Sequence, residues 1–94
     1  MKAPETNIQN AEALALSALV WILGDQPRAE RLLTLTGLSP DDLRARAGDS
    51  AVLAAVLGFL EAHEPDLVAC AQDIDCKPEA LVTARRALDG GHWE

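Results

Sequence analysis

The chain has 94 residues, of which 49% are apolar, and its net charge is −7. This length fits one domain, and this apolar content excludes an intrinsically disordered chain. The apolar residues are mostly leucine, alanine and valine, and only three residues are aromatic, which favours helices over a β-sheet. We therefore predict an all-α fold, a compact bundle of five or six helices around two central apolar helices.

The first helix is predicted over residues 7–23, with Thr6 as its N-cap and Gly24 as its end. We expect residues 1–6 to form a flexible tail, because Pro4 disfavours an earlier start.

Two shorter helices follow. Asp25 is predicted to cap the second helix, which has Pro27 in its first turn and ends at Gly37. Ser39 is predicted to cap a third helix over residues 40–47.

The fourth helix is predicted to start at Asp49 or Ser50 and to end near His63, because Pro65 disfavours helix at the residue before it. Pro65 opens the fifth helix, which extends to about Asp73.

The sixth helix is predicted over residues 78–88 and ends before two consecutive glycines. We expect residues 90–94 to form a second flexible tail. A single helical domain then spans residues 7–89.

The first and fourth helices are apolar on nearly every side, whereas the others are amphipathic. A helix that is apolar all round must be covered all round. Either the two pack against each other inside the bundle, which predicts a monomer, or one face stays bare and forms a homodimer.

Negative charge is concentrated in residues 64–76, which hold four carboxylates and no lysine or arginine. The carboxylates belong to Glu64, Asp66, Asp73 and Asp75, and we call them the acidic edge. Such an edge is compatible with a basic protein partner and repels phosphate backbones and anionic membranes. The alternative is that the charge only keeps the protein in solution.

Cys70 and Cys76 are the only cysteines, and we interpret them as reduced thiols. Residues 13–23 are too short to cross a bilayer, and the acidic and amide residues before them do not resemble the start of a signal peptide. We therefore expect a cytoplasmic protein that does not contact membranes.

The helix pairs two–three and five–six each join through a short polar link that ends in a proline-initiated helix, so each pair could be an αα-hairpin or a helix-turn-helix. In a DNA-binding reading the sixth helix would contact nucleic acid through Lys77, Arg85 and Arg86. In each pair the second helix begins with carboxylates, which would repel the phosphate backbone. Nucleic-acid binding is therefore the alternative and not the leading hypothesis.

No residue pattern indicates catalysis, a metal or a cofactor. His63, Asp66 and Cys70 have the spacing of one helical face, but Pro65 interrupts that helix. We expect no enzymatic activity and no bound cofactor.

Residues 11–16 (AEALAL), 33–44 (LTLTGLSPDDLR) and 53–60 (LAAVLGFL) resemble a family of small alphaproteobacterial proteins that has no assigned function. The resemblance covers about residues 11–90 and implies an all-helical domain without known catalytic or cofactor-binding residues. Residues 73–78 are irregular beside the glycine-then-apolar turn expected of a helix-turn-helix, which weakens that interpretation further.

The leading hypothesis is a non-enzymatic helical module that binds a protein partner. Its open question is whether the four amphipathic helices cover the two apolar ones completely.

Overall fold

Six helices run through the part of the chain that the computed structural model describes, residues 4–90. They are α1 (Pro4–Leu23), α2 (Gln26–Thr36), α3 (Pro40–Ala45), α4 (Ser50–Glu61), α5 (Glu64–Asp73) and α6 (Pro78–Gly90). No strand occurs among these residues, and the predicted all-α bundle is confirmed.

α1 begins earlier and α6 ends later than the sequence predicts. α1 begins at Pro4, so the end of the predicted N-terminal tail is helical and Thr6 is not the N-cap. Proline is tolerated there because the N–H groups of a first turn have no partner within the helix. α6 extends through Gly90, where the second tail was predicted to begin. Residues 1–3 and 91–94, the remainder of the two predicted tails, lie outside the described residues.

Aspartate side chains cap α2, as the sequence predicts, and α4, whose start the sequence placed at Asp49 or Ser50. The Asp25 carboxylate accepts a hydrogen bond from the N–H of Arg28 at 3.1 Å, and Asp49 accepts one from the N–H of Ala51 at 2.9 Å. Each bond satisfies an N–H group that has no partner within its helix. The bond from Ala51 also holds the pKa of Asp49 below its usual value.

α3 is a short helix that begins with a capping box. The Ser39 hydroxyl accepts from the N–H of Asp42, and the Asp42 carboxylate accepts from the N–H of Ser39, both at 3.0 Å. The second bond is the main reason that the pKa of Asp42 is lowered. In the link before α3, Gly37 takes a left-handed conformation with φ 76° and ends α2. α3 ends at Ala45, earlier than predicted.

The turn between α5 and α6 is a Schellman motif built without glycine. The N–H of Cys76 donates to the carbonyl of Ala71 at 2.8 Å, and the N–H of Asp75 donates to the carbonyl of Gln72 at 3.3 Å. Asp75 takes the left-handed conformation, with φ 65°, that glycine usually takes at this position. The irregular stretch after α5 is therefore an ordinary helix end with an unusual residue in it.

The core forms where α1, α4 and α6 meet. α1 and α4 contact each other as predicted, and α6 packs extensively against both. α4 is the most completely covered helix of the described chain, with seven buried residues: Val52, Leu53, Ala54, Val56, Leu57, Phe59 and Leu60. α6 contributes Leu81, Ala84 and Leu88 to the same core.

Candidate partner-binding groove

From Asn10 to Leu23, α1 is covered mainly on one face. Ala15, Ala18 and Ile22 are fully buried against the core. On the neighbouring face Leu16, Val20 and Leu23 are 38%, 70% and 46% exposed. We call these three side chains the α1 stripe. Their spacing of four and three residues places them on one side of the helix over two turns.

The α1 stripe forms the floor of an apolar groove whose walls come from α2 and α3. Ala29 and Leu33 of α2 lie on one side, and Pro40 and Leu43 stand at the start and middle of α3. The enclosed space is about 510 Å³. Gly24 and Asp25, between α1 and α2, form the tight turn that brings α2 back beside the end of α1.

Carboxylates are neighbours of residues that line this groove. Glu12 occupies the same face of α1 as Leu16, one turn earlier. Glu30 lies next to Ala29 on α2 and accepts a hydrogen bond from Gln26 at 3.2 Å.

Arg44 is the positively charged residue in the described lining of the groove, and it already pairs with a carboxylate. The Arg44 guanidinium donates to the exposed carboxylate of Asp41 at 3.0 Å. Glu12, Glu30, Asp41 and Arg44 together therefore give this region a net negative charge.

A second concavity lies between α1 and α6 and encloses about 470 Å³. Its lining is mostly alanine, with Leu14, Asn10 and Thr83 beside it. It is a gap left by small side chains where two helices meet, and it brings no titratable group together.

The structure divides the acidic edge. The Asp66 carboxylate accepts a hydrogen bond from the Arg31 guanidinium at 2.5 Å, and the Asp73 carboxylate accepts one from the indole Nε1 of Trp21 at 2.6 Å. These contacts join α5 to α2 and α1. Glu64 is exposed at the start of α5.

Asp75 is exposed in the turn after α5, at the other end of that helix from Glu64. The acidic edge is thus two carboxylates that join helices and two exposed ones at opposite ends of α5.

Trp21 is enclosed by charged groups. The guanidinium of Arg28 lies 3.7 Å from the centre of its ring, a cation–π contact, and also lies 3.6 Å from the Asp25 carboxylate. Together with the bond to Asp73, this cluster fixes the end of α1 against α2 and α5.

The residues proposed for nucleic-acid contact do not form a free basic surface. Arg85 donates to the carboxylates of Glu61 and Asp89, and the bond to Glu61 raises its pKa. Lys77 and Arg86 are exposed. The charge of Arg85 is balanced within the protein before any phosphate approaches.

The two cysteines are free thiols. Cys70 is fully buried, and its removal from water raises its pKa to about 11. Burial also raises the pKa of Cys76, which is half-buried. Among the side chains that the structure describes, no three of the metal-binding types come together, and the ring of His63 makes no hydrogen bond that caps α5.

The amino-acid sequence leaves open whether a face of α1 stays bare, and it does not locate the groove. The sequence does carry a signal for the bare face. After Glu12, α1 has no charged residue, and Leu16, Val20 and Leu23 are spaced to lie on one side of the helix. The walls depend on how α2 and α3 turn away from α1, which the local sequence does not determine.

No helix in the described part of the chain is long and apolar enough to cross a membrane. A family model described as a protein of unknown function, DUF3572, matches residues 8–91. No curated protein matches the chain, and no solved structure does.

Proposed function

The chain belongs to the DUF3572 family of proteins of unknown function, and we propose that it is a non-enzymatic helical module that binds a protein partner. The observation that supports this proposal is the apolar groove over the α1 stripe. Soluble monomers usually keep exposed apolar side chains scattered, so three in a row beside a concave surface favour a binding site.

The energetics favour a moderate affinity. The α1 stripe leaves about one and a half side chains' worth of apolar surface exposed, and burying it contributes about 2–4 kcal/mol. A micromolar complex requires roughly 8 kcal/mol. The walls of the groove and the surrounding charges must supply the remainder, so we expect a regulated or transient complex.

Affinity capture from the native host tests the proposal. Three baits are compared: the wild-type chain, a Val20→Glu variant and a Leu35→Glu variant. Val20 is 70% exposed in the groove and Leu35 is 69% exposed outside it, so the two changes match in exposure and in added charge. We expect a protein that wild type and Leu35→Glu capture and Val20→Glu does not. The same set of captured proteins from all three baits would refute the proposal.

Duplex DNA is not expected to bind. Phosphate contacts supply most non-specific affinity, and this chain has a net charge of −7 and a neutralised Arg85. Fluorescence anisotropy with random and promoter-derived duplexes at roughly 10–50 mM salt, where phosphate contacts are strongest, measures this. Saturable binding there would favour the helix-turn-helix alternative.

We also propose the cytoplasm as the compartment, since two free thiols suit a reducing environment.

A further inference from the structure

We infer that the partner segment which occupies the groove is a cationic amphipathic helix. This inference rests on the proposed function and adds the chemistry of the occupant. Three features support it: the shape of the groove, the charges around it, and the small area of the α1 stripe.

The shape of the groove suits a helix. Its floor is two turns of α1, with Leu16, Val20 and Leu23 projecting from one side. A second helix laid along this floor places its own apolar residues, at spacings of three and four, between those side chains. Leu33 and Leu43 are then positioned to contact its flanks.

The charges select a basic helix. Glu12 precedes Leu16 by one turn of α1, Glu30 follows the lining residue Ala29 on α2, and Asp41 follows the lining residue Pro40 on α3. Arg44 is the cation that lines the described groove, and Asp41 pairs with it. Lysines or arginines on the outer face of a bound helix would meet carboxylates, whereas acidic residues there would be repelled.

A second copy of this chain fits less well. Two copies would each bring a charge of −7 to the contact. A stable protein interface buries roughly 800 Å² on each partner, and the α1 stripe exposes only parts of three side chains. A single helix can fill the groove without bringing two acidic domains together.

The test uses two synthetic peptides, each of about 18 residues and labelled with fluorescein, which is long enough for five helical turns. Both carry leucine along one helical face. The first has lysine at the outer positions and the second has glutamate there. Fluorescence anisotropy at roughly 50 mM salt measures the dissociation constants. We expect the lysine peptide to bind at least about tenfold more tightly and to lose affinity as salt is raised.

Variants locate the binding. Val20→Glu should weaken the lysine peptide about tenfold, although it adds a negative charge, because it removes apolar contact. Leu35→Glu adds the same charge at a site of equal exposure and should leave the dissociation constant unchanged within about twofold. Val20→Ser is a second variant without added charge, and circular dichroism checks that each variant is folded. Replacing both Glu12 and Glu30 with glutamine should reduce the preference for lysine over glutamate.

Each outcome has a separate meaning. Equal binding of both peptides, lost in Val20→Glu, would overturn the cationic partner and leave the proposed function intact. No binding of either peptide, or binding that Val20→Glu does not weaken, would count against the groove as a binding site altogether. A protein that is dimeric by light scattering and becomes monomeric in Val20→Glu would make a second copy the occupant and overturn the inference.

Discussion

Asp75 takes a left-handed conformation at the end of α5, with φ 65°. A side chain in this region crowds its own backbone, and glycine avoids that cost. An aspartate here also lies at the negative end of the helix dipole. We expect Asp75→Gly to raise the free energy of unfolding by about 0.5–1 kcal/mol, as measured by urea denaturation.

Asp75→Asn is the matched control for that change, since it removes the charge and keeps a side chain of the same shape. If charge repulsion were the dominant cost, Asn and Gly would stabilise equally. We expect glycine to stabilise more, because the backbone conformation is the larger cost.

Cys70 is expected to lower the free energy of unfolding at alkaline pH. Burial raises its pKa from 9.0 to about 11, so the folded state keeps the proton in a range where the unfolded state releases it. The unfolded state then binds fewer protons, and the free energy of unfolding falls as pH rises from about 9 towards 11. The stabilisation is fully present below pH 9.

Urea denaturation of wild type and Cys70→Ala at several pH values between neutrality and about 10.5 measures this dependence. The alanine variant should be less stable at neutral pH because of the cavity, but its stability should fall less between pH 9 and the upper limit. Parallel losses in the two proteins would show that other groups cause the alkaline decline.

α3 is the helix with the least support from the core. Among its residues only Leu43 is buried, whereas α4 buries seven. Its capping box is therefore expected to matter more to α3 than to the whole fold. We expect Ser39→Ala to destabilise α3 by about 1 kcal/mol and to speed amide hydrogen exchange at residues 42–46 about fivefold.

Ser50→Ala is the control for this prediction, because Ser50 is exposed at the start of α4, where Asp49 is the cap. It should leave exchange in α3 unchanged. Uniformly faster exchange in Ser39→Ala across every helix would show that α3 unfolds only with the rest of the molecule.

Several helix ends were predictable because the chemistry of the capping residue determines them locally. Asp25 and Ser39 cap the helices they were expected to cap. Pro4 misled the prediction of α1, since proline suits a first turn as well as a tail.

The acidic edge depended on distant partners. Asp66 meets Arg31 across 35 positions, and Asp73 meets Trp21 across 52. Such pairs form only when whole helices are oriented, and no local spacing encodes that orientation. The groove could not be predicted from the sequence for the same reason, because its walls depend on how whole helices are oriented.

At the scale of the whole molecule, one apolar helix is enclosed and the other is not. α4 packs against both α1 and α6 and is also contacted by α2 and α5, which accounts for its extensive burial. α1 has α4 and α6 on one side, and α2 leaves its outer face open near Val20. The two alternatives for apolar helices, mutual coverage and a bare face, therefore both occur in this fold.

We expect the bare face to be too small for a stable dimer. Burying the α1 stripes of two copies yields about 4–8 kcal/mol in total, whereas association costs about 4–15 kcal/mol in lost freedom of motion before like charges are counted. Each copy carries a charge of −7, so lower salt should disfavour self-association further. We expect light scattering to give the 10.0 kDa mass of one chain across the micromolar range. A mass twice that value, falling to one chain in Val20→Glu but not in Leu35→Glu, would show that two copies share their grooves.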